Sequence, residues 1–441
     1  MTTQTTPDYD IVIIGGGMVG ASFACALLNT IKRHQLRVAI IEASPLQASN
    51  EKGADAVGYQ PSFDARATAL SYGAKNIYEA MGIWDELQAG VSPIKTIHVS
   101  DRGHFGATRL HANDEGVDAL GYVTENRWLG EVLLSHLNQH PSNTVDWICP
   151  AEVTELQTTA TDVCLSLSAK STNDIPTQLR ASLVIMADGG RSSLREKMGI
   201  HYAQDDYQQY AVIANISPDR DHQGIAYERF TDTGPMALLP LTQQAGRQRC
   251  GLVWTVAAEE HEEIMALDDA AFIARVQARF GYRAGQFMHV GTRTSYPLKL
   301  THAKEQVRQG VVVLGNAAHA LHPIAGQGYN LALRGAASLA DHIATVVEQG
   351  RPLGSLEHLQ AFYDVQREDQ QRTIHASDRL MKLFASRSGL IALGRDLGLQ
   401  ALDICSPAKT VLARAAMGID MPAPNLRAPF SSLKNGQAQS K

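Results

Sequence analysis

An apolar run near the N-terminus leads directly into three glycines with the spacing Gly15-x-Gly17-x-x-Gly20. The hydrophobic pattern predicts a buried parallel strand over residues 9–14 and a helix over residues 18–29. In such a unit the first glycine permits a tight turn, the second lets the backbone approach a pyrophosphate, and the third lets the helix pack on the strand. The pattern therefore predicts a unit that binds a dinucleotide at the start of its helix.

An acidic residue at the end of the next predicted strand supports the same interpretation. This strand covers residues 37–42 and ends at Glu42, roughly twenty residues after Gly20, which is the spacing at which a carboxylate binds a ribose hydroxyl. The alternative is a glycine-rich turn in another α/β fold, which would leave Glu42 without a role. The pattern alone does not distinguish FAD from NAD. The candidate cofactor-binding residues of this unit are Gly15, Gly17, Met18, Val19, Gly20, Glu42 and Ala43.

The length and charge of the chain limit the remaining classes. The 441 residues exceed what one hydrophobic core ordinarily organises, so we expect at least two lobes. The formal net charge of −6 gives no reason to expect nucleic acid as a partner. No apolar run reaches the ~20 residues that cross a bilayer, and the polar start of the chain does not resemble a signal peptide. We therefore expect a cytoplasmic protein, with peripheral contact at the inner face of the cytoplasmic membrane as an alternative.

The cysteines and histidines indicate neither a disulfide framework nor a metal site. The 5 cysteines are scattered and form no C-x-x-C pair, so we expect free thiols. His319 and His322 lie three residues apart, but no acidic or cysteine ligand flanks them, so we expect no metal site.

A second motif follows another predicted buried strand, over residues 181–187. The string A-D-G-x-x-S-x-x-R begins at Ala187 and ends at Arg195, and it resembles the DG fingerprint of flavoprotein aromatic hydroxylases. In those enzymes the fingerprint lies near FAD and the reduced nicotinamide, which makes Asp188 a candidate cofactor-binding residue. A helix N-cap after a strand would use the same residue types, and the local sequence does not decide between the two interpretations.

A third motif follows a predicted strand over residues 311–314. Here Gly315-Asn316 stands where the same enzymes carry a GD motif, whose acid bonds the ribityl chain of FAD; Asn316 carries no charge. The loop that ends at Gly328 then opens a predicted helix, whose first N–H groups can stabilise negative charge on a reduced flavin. A surface turn is the alternative for this loop. The candidate catalytic residues are Pro323, Gly326 and Gln327, and the candidate cofactor-binding residues are Gly315, Asn316, Gly326, Gln327, Gly328 and Asn330.

These motifs, in this order, resemble the UbiH/UbiF/UbiI (VisC-like) family of FAD-dependent monooxygenases of ubiquinone biosynthesis, from about residue 9 to 420. The closest likeness is to the UbiH branch, the 2-polyprenyl-6-methoxyphenol hydroxylases, and it includes Glu228-Arg-Phe230 and the asparagine of the third motif. Two positions depart from the family signature. Ala332 replaces a usual glycine and Gly335 a usual aspartate, so no role of that acid carries over.

The resemblance implies a reaction and further site residues. The reaction is hydroxylation of 2-polyprenyl-6-methoxyphenol to the 1,4-benzoquinol, with bound FAD, with NAD(P)H and O2 as co-substrates, and through a flavin C4a-hydroperoxide. Family similarity places Arg66 near the flavin and Arg127 near the FAD phosphates, with surface ion pairs as the alternative. No second G-x-G-x-x-G follows a strand, so NAD(P)H would dock transiently. Tyr227 and His104 are candidates for the base that deprotonates the phenol. The strand residues expected to form an apolar cover are Met236, Leu238, Leu239, Val253 and Trp254.

The motifs and the alternation of patterns predict an α/β protein, α+β overall. A Rossmann-like FAD-binding domain is interleaved with an antiparallel β-sheet substrate domain, in the arrangement of para-hydroxybenzoate hydroxylase, and a helical C-terminal segment follows. The expected ranges are 1–92, 126–200 and 299–370 for the FAD-binding domain, 93–125 and 201–298 for the β-rich substrate domain, 371–430 for the helical segment and 431–441 for a disordered tail.

Three other functions stay open from the sequence: hydroxylation at another ring position in the same pathway, flavin-dependent reduction of prenyl groups, and a non-catalytic flavoprotein scaffold. The expected partners are a prenylated phenol, proteins of a ubiquinone-biosynthesis complex, and a second copy of the chain. Leucines at helical spacing in the C-terminal segment, with basic residues between them, predict packing onto the FAD lobe or contact with a membrane or partner.

Overall fold

A computed structural model describes residues 6–45, 64, 66–103, 106–138, 145–169, 175–190, 192–322, 326–385, 398, 400–401, 403–420 and 426. The strands are β1 (Tyr9–Ile14), β2 (Val38–Ile41), β3 (Ala67–Ser71), β4 (Val91–Ile94), β5 (Thr96–Asp101), β6 (Ala107–His111), β7 (Gly121–Glu125), β8 (Asp146–Ile148), β9 (Ala151–Thr158), β10 (Val163–Ala169), β11 (Gln178–Met186), β12 (Tyr202–Pro218), β13 (Ile225–Thr231), β14 (Gly234–Gln244), β15 (Arg247–Ala257), β16 (Phe287–Val290), β17 (Thr294–Ala303), β18 (Val307–Arg308), β19 (Val311–Val313) and β20 (His319–Ala320).

The α-helices are α1 (Met18–His34), α2 (Tyr72–Ala80), α3 (Trp84–Leu87), α4 (Asn126–Asn138), α5 (Leu194–Lys197), α6 (Ala258–Ala266), α7 (Asp269–Phe280), α8 (Gln327–Glu348), α9 (Leu356–Ala385) and α10 (Ser406–Met417). Short 3-10 helices cover Gln88–Gly90, Ala112–Glu115 and Gly315–Ala317.

The first sheet has the strand order β18-β19-β11-β1-β2-β8, and β10 and β9 continue it from β11. Its centre is parallel: β1 pairs with β2 and β11, and β11 pairs with β19. These strands read as continuous apolar runs because both faces are covered. Ile11 and Ile13 face a core that includes α1 and α8, whereas Val12 and Ile14 face a second core that includes β9 and β10.

The second sheet has the order β20-β17-β12-β15-β14-β13-β5-β6, with β16 paired to β12. Its pairs are antiparallel except β13 with β5, which run parallel. Helix α7 covers one face, where Trp254 of β15 packs against Phe272 with ring centroids 5.9 Å apart. The other face of this sheet is turned toward the first lobe. The confirmed fold class is therefore a mixed α/β protein in which chain segments alternate between two lobes.

A small sheet of order β3-β7-β4 lies between the two lobes. Ala67 of β3 packs so closely on Gly251 of β15 that a β carbon on the glycine would stand 2.8 Å from the alanine side chain. Glu125 of β7 forms an ion pair with Arg249 of β15. These contacts join the small sheet to the large one.

The C-terminal helices pack against both lobes. Helix α9 lies on α8, where Arg334 and Asp369 form a buried bidentate ion pair at 2.8 and 2.9 Å. Helix α10 places Ala413 and Met417 against Leu110 of β6. The expected disordered tail, residues 431–441, lies outside the described residues.

The hydrophobic pattern predicts one helix over residues 69–89, one strand over residues 288–296 and, between residues 201 and 298, one helix over residues 270–280; the structure differs from each of these expectations. Within residues 69–89 the first residues belong to the end of β3, and α2 begins only after them. Ser71 ends the strand and caps the helix, because its side-chain oxygen accepts a hydrogen bond from the Ala74 N–H at 3.1 Å. The strand expected over residues 288–296 is two strands, β16 and β17, separated near Gly291. Helix α6 was not expected, because the residues around it alternate in the pattern of strands.

Candidate functional site

A cleft of about 790 Å³ runs between the carboxyl ends of the parallel strands and the open face of the antiparallel sheet. Ile14 and Ile41, which end β1 and β2, and Ala187, which directly follows β11, contribute to its floor. Such a switch region of a parallel sheet is where α/β proteins bind ligands. The predicted site residues that line it are Gly15, Gly17, Met18, Val19, Glu42, Ala43, Arg66, Asp188, Asn316, Gly326 and Gly328.

The glycine turn before α1 is tightly packed against its surroundings. Gly15 has a φ of +97°, and a β carbon there would lie 2.7 Å from the Ala187 carbonyl oxygen. A β carbon on Gly20 would lie 1.9 Å from the Gly15 carbonyl oxygen. Gly20 therefore does not line the cleft, and it serves the helix–turn contact that the motif assigns to its third glycine. The turn leaves the N-terminus of α1 open toward the cleft.

Glu42 connects the second strand to this turn. One carboxylate oxygen accepts the Gly16 N–H at 2.7 Å and the other accepts the Ser44 N–H at 2.9 Å. The carboxylate is thus fixed at the edge of the cleft with acceptor capacity left for a hydroxyl group.

The second and third motifs meet at one carbonyl group. Asp188 accepts the Gly190 N–H at 3.0 Å and also accepts from the Ser192 hydroxyl, so its side chain shapes its own turn. Arg195 donates to the Ala317 carbonyl at 3.1 Å. Since Ala317 directly follows Asn316, the two motifs hold Asp188 and Asn316 on the same cleft.

Helix α8 begins at the opposite side of the cleft. Gly326 precedes it with a φ of +62° and without a side-chain cap, and a β carbon on Gly328 would meet open space. The Asn330 amide does not project freely: it donates to the Ala69 and Gly326 carbonyls and accepts the Ser71 N–H at 2.9 Å. Asn330 therefore fixes the start of α8 to β3.

The remaining predicted site residues lie around these groups. Arg66 lines the cleft and is paired with Asp64. Arg127 is exposed on α4, and Gln327 is the first residue of α8. Gly315 has a φ of +62°, and a β carbon there would lie 2.9 Å from Val19. Pro323 and His104 lie outside the described residues.

One row of the large sheet forms the cleft wall opposite the glycine turn. The register aligns Ile213 with Val253, Val253 with Ala237, and Ala237 with Glu228, and all four residues line the cleft. Leu239 lies two residues beyond Ala237 and lines the cleft as well.

The expected apolar cover is corrected by this register. Leu239 and Val253 face the cleft, whereas Met236, Leu238 and Trp254 face the α7 side of the sheet. Successive residues of a strand point to opposite faces, so an apolar run cannot contribute all its members to one wall. For the same reason Tyr227 packs against Phe280 beneath α7, on the face opposite the cleft that Glu228 lines. Tyr227 is therefore not placed to act as the base for a phenol bound in the cleft.

Several cleft residues were not expected from sequence. Thr68 and Asn126 line the cleft and are joined by a hydrogen bond of 2.6 Å, and Tyr296 lines the same cleft as Arg66. Burial raises the pKa of Tyr296, and Arg66 acts in the opposite direction. Asn126 directly precedes the predicted site residue Arg127, but Thr68 and Tyr296 lie in ordinary alternating strands that give no signal for a ligand.

The residues present fit FAD. Helices α1 and α8 both open onto the cleft with no side-chain cap and no acidic residue in the first turn, so two positive helix ends face one cavity. A molecule that carries negative charge at two separated places matches this arrangement. FAD is such a molecule: α1 would hold its pyrophosphate, the start of α8 would face its reduced ring, and Glu42 would offer an acceptor to its ribose.

Three other expectations concern absent features. All 5 cysteines are free. Among the described residues no group of three or more His, Cys, Asp or Glu side chains is placed to hold a metal ion. In the same part of the chain, no helix has both the length and the apolar character required to cross a membrane.

Comparison with known proteins agrees with the fold and the cleft. Residues 8–358 match the family model described as FAD binding domain. The ubiquinone hydroxylase UbiL of Rhodospirillum rubrum is 33% identical over 93% of this chain and 89% of its own. The mitochondrial ubiquinone biosynthesis monooxygenase COQ6 of Homo sapiens is 27% identical, with 92% of each chain covered.

Solved structures share the fold at lower identity. The p-nitrophenol 4-monooxygenase PnpA of Pseudomonas putida has a TM-score of 0.71 at 17% identity, with 93% of this chain and 97% of that chain covered. PqsL of Pseudomonas aeruginosa, a probable FAD-dependent monooxygenase, has a TM-score of 0.67 at 21% identity, with 89% and 99% covered.

The fold and the cleft together define an FAD-dependent monooxygenase. When bound, FAD carries the redox chemistry, and NAD(P)H and O2 are the co-substrates typical of this class. The chain belongs to the FAD-binding monooxygenase family that includes UbiL and COQ6, and the resemblance read from its motifs is confirmed.

Proposed function

We propose that the protein hydroxylates a polyprenylated phenol in ubiquinone biosynthesis, and that its reaction is the conversion of 2-polyprenyl-6-methoxyphenol to the 1,4-benzoquinol. The observation that carries the proposal is the single cleft, which joins a dinucleotide cradle to an apolar wall. The names of the relatives UbiL and COQ6 support the pathway, and the likeness of the asparagine at position 316 to the UbiH branch supports the ring position.

Different residues of the chain would bind FAD and stabilise its reduced form. The turn from Gly15 and the carboxylate of Glu42 would hold the adenosine and pyrophosphate part of FAD. The N–H groups at the start of α8 would stabilise negative charge on the reduced ring. FAD, once bound, supplies the activation of O2, and the protein supplies placement and exclusion of water.

The cleft wall of the large sheet would take the aromatic ring of the substrate. Ile213, Ala237 and Val253 present apolar groups, and Glu228 places a carboxyl group at the end of the same row. We assign Glu228 the role of contacting the phenol hydroxyl. An apolar wall with one polar group at its edge orients a phenol, because the hydroxyl cannot be buried without a partner.

The pathway step is tested by the quinone intermediate that accumulates in cells lacking the protein. Accumulation of 2-polyprenyl-6-methoxyphenol supports the proposed step, whereas an intermediate that lacks a different hydroxyl group assigns the protein to another ring position. Hydroxylation at that other ring position is the alternative function, since the relative UbiL is a ubiquinone hydroxylase and this activity does not specify the ring carbon. An unchanged quinone profile would contradict both.

The chemistry is tested with the purified yellow protein, NAD(P)H and a short-chain prenyl analogue of the substrate. Isotopically labelled O2 should place one labelled atom in the product for each NAD(P)H oxidised. Reduction of the prenyl chain without O2 consumption would indicate the reductase alternative, and failure of NAD(P)H to bleach the flavin with substrate present would indicate the scaffold.

A prenylated substrate resides in the bilayer, so we propose peripheral contact with the inner face of the cytoplasmic membrane. Ile404 and Val411 near and on α10 are 84% and 66% exposed. Flotation with lipid vesicles should be weakened by Ile404→Ser together with Val411→Ser. Equal flotation of the variant would remove this surface from the proposal.

A further inference from the structure

A cluster of arginines occupies the outer end of the large sheet, on the face opposite the cleft. Strand register places His98 of β5 beside Arg109 of β6 and beside Tyr227 of β13. The next residue of β13 on this face is Arg229, which lies opposite Ser100. Arg283, from the segment between α7 and β16, reaches over the same patch and donates to His98 Nε2 at 2.9 Å.

Within the described part of the chain, three arginines of this cluster have no carboxylate within ion-pair distance. Among the described residues, Arg109, Arg229 and Arg283 form no ion pair within 4.0 Å. Arg220, at the same end of the sheet, is paired with Asp219 at 3.9 Å and is not one of the three. Asp101 is the carboxylate that favours the charge of Arg229, while burial, Arg283 and Arg102 oppose it.

Buried polar atoms in the cluster lack partners. Among the described residues, His98 Nδ1 and Arg229 Nε are buried without a hydrogen-bond partner. Burial and the nearby arginines lower the pKa of His98 to about 4, so its ring adds no charge at neutral pH. The neutral His98 ring accepts a hydrogen bond from Arg283, and the arginines around it repel one another. This arrangement lacks an anion.

The chemistry of the cluster identifies the anion. Guanidinium groups bind phosphate in a bidentate manner, and the tetrahedrally arranged oxygens of a phosphate group can be shared by several guanidinium groups, with close to two negative charges in a monoester and one in a diester. The two oxygens of a carboxylate lie in one plane and are both taken by a single bidentate guanidinium, whereas three arginines are unpaired here. The whole chain is acidic, with a formal net charge of −6, so a general basic character does not account for this patch.

We propose that Arg109, Arg229 and Arg283, arranged around His98 and Tyr227, form a binding site for the phosphate group of a ligand, separate from the flavin cleft. The site takes either a soluble phosphate or the phosphate of a lipid headgroup. It does not depend on the reaction proposed above, because none of these side chains lines the cleft.

The test uses the full-length, FAD-loaded protein and two probes. Inorganic phosphate is titrated calorimetrically against the protein, with sodium chloride at matched ionic strength as the blank. Vesicles of phosphatidylglycerol with phosphatidylcholine are compared with vesicles of phosphatidylcholine alone by flotation. The variant carries Arg229→Gln and Arg283→Gln. The control carries Arg247→Gln and Arg275→Gln, which remove the same charge from an exposed and a partly exposed position of the same lobe; Arg275 is paired with Glu263 at 2.7 Å.

Saturable phosphate binding that weakens by about tenfold or more in the variant, but not in the control, supports a soluble ligand. Flotation that requires phosphatidylglycerol and is lost in the same variant alone supports a lipid headgroup. Absence of saturable binding to both probes, or equal binding by the variant, overturns the proposal.

A thermal measurement separates binding from a structural role. In phosphate-free buffer the variant should melt at the same temperature as the parent protein or above it, because mutual repulsion has been removed. Added phosphate should then raise the melting temperature of the parent alone. If the double variant does not fold, Arg109→Gln at an exposed position gives the same comparison. A phosphate-induced shift that persists in whichever variant folds contradicts the site.

Discussion

Arg195 and Ala317 join two motifs that lie far apart in the sequence, since the Arg195 guanidinium donates to the Ala317 carbonyl at 3.1 Å. The Tyr202 hydroxyl donates to the same carbonyl at 2.7 Å, and the guanidinium stacks over the Tyr202 ring at 4.6 Å. This contact holds the loop that carries Asn316 against the turn that carries Asp188. Two of the candidate FAD contacts therefore depend on one arginine.

Replacement of Arg195 by methionine should weaken FAD binding by roughly tenfold, because the loop of Asn316 loses a charged donor and its carbonyl acceptor keeps Tyr202 alone. Arg195→Lys should give an intermediate value, since lysine keeps the charge but cannot donate to the Ala317 and Gly190 carbonyls at once, as the guanidinium does. Fluorescence titration of the apoprotein with FAD measures the affinity. Arg367→Met, at an exposed position of α9, is the matched control. An FAD affinity equal to that of the control would remove the role assigned to this contact.

Glu42→Arg should lower FAD occupancy by at least about tenfold. The change removes the acceptor of the Gly16 and Ser44 N–H groups and places a cation beside the positive end of α1. Glu42→Gln keeps one carbonyl acceptor, so its FAD occupancy should fall between those of the parent protein and Glu42→Arg. The ratio of flavin to protein absorbance after purification gives the occupancy. Glu131→Arg, on the exposed side of α4, applies the same charge change elsewhere on the lobe. A Glu42→Arg protein that purifies fully loaded would exclude the ribose contact.

The glycine turn and Glu42 could be predicted because their roles follow from local geometry. A strand, a turn without β carbons and a helix specify where a pyrophosphate lies, and the position of the acid follows from the second strand. Arg195 was recognised as part of a motif, but its contact with Ala317 is set by tertiary packing. No pattern within either motif contains that information.

The cleft wall could not be predicted for a different physical reason. The strands of the large sheet are apolar on both faces, because α7 covers one face and the cleft uses the other. The alternation of polar and apolar residues therefore does not show which face of the sheet a residue points to. Leu238 and Leu239 look equivalent in the sequence although they face opposite sides. Strand β3 was missed because its pairing with β7 is distant in sequence and a helix follows it directly.

Asp369→Ala should lower the free energy of unfolding by about 3–5 kcal/mol, because it leaves Arg334 charged and unpaired between α8 and α9. The two side chains are 8% and 10% exposed and share two hydrogen bonds. Glu357→Ala breaks the exposed pair with Arg351 and should cost less than about 1 kcal/mol. Urea unfolding followed by circular dichroism gives both values.

A second variant identifies the source of that loss. Combining Asp369→Leu with Arg334→Met replaces the pair by apolar groups and should be less destabilising than Asp369→Ala alone. A double variant that is as unstable as the single one would show that packing, rather than the unpaired charge, accounts for the effect.

His322 should make the protein less stable in mild acid. Burial lowers the pKa of His322 to about 4, whereas the unfolded chain has a histidine pKa of about 6.5. Between these values the unfolded state binds a proton that the folded state excludes, so stability falls by about 1.4 kcal/mol per pH unit as the pH decreases. His322→Phe should therefore reduce the loss between about pH 7 and pH 5 by roughly 2 kcal/mol. Urea unfolding at both pH values measures it, and His289→Phe, at an exposed position, should leave the loss unchanged.

Leu239→Asn should uncouple NAD(P)H oxidation from hydroxylation. Leu239 lines the apolar wall, and an amide there brings hydrogen-bonding water into the cleft, because a buried amide without a partner is costly. Water at the site of oxygen activation diverts the oxidising equivalents to hydrogen peroxide. The peroxide formed per NAD(P)H should rise severalfold while FAD remains bound. Leu239→Met keeps an apolar side chain of similar volume and should retain the parent coupling. If Leu239→Asn oxidises NAD(P)H with unchanged peroxide yield, the wall does not protect the reaction from water.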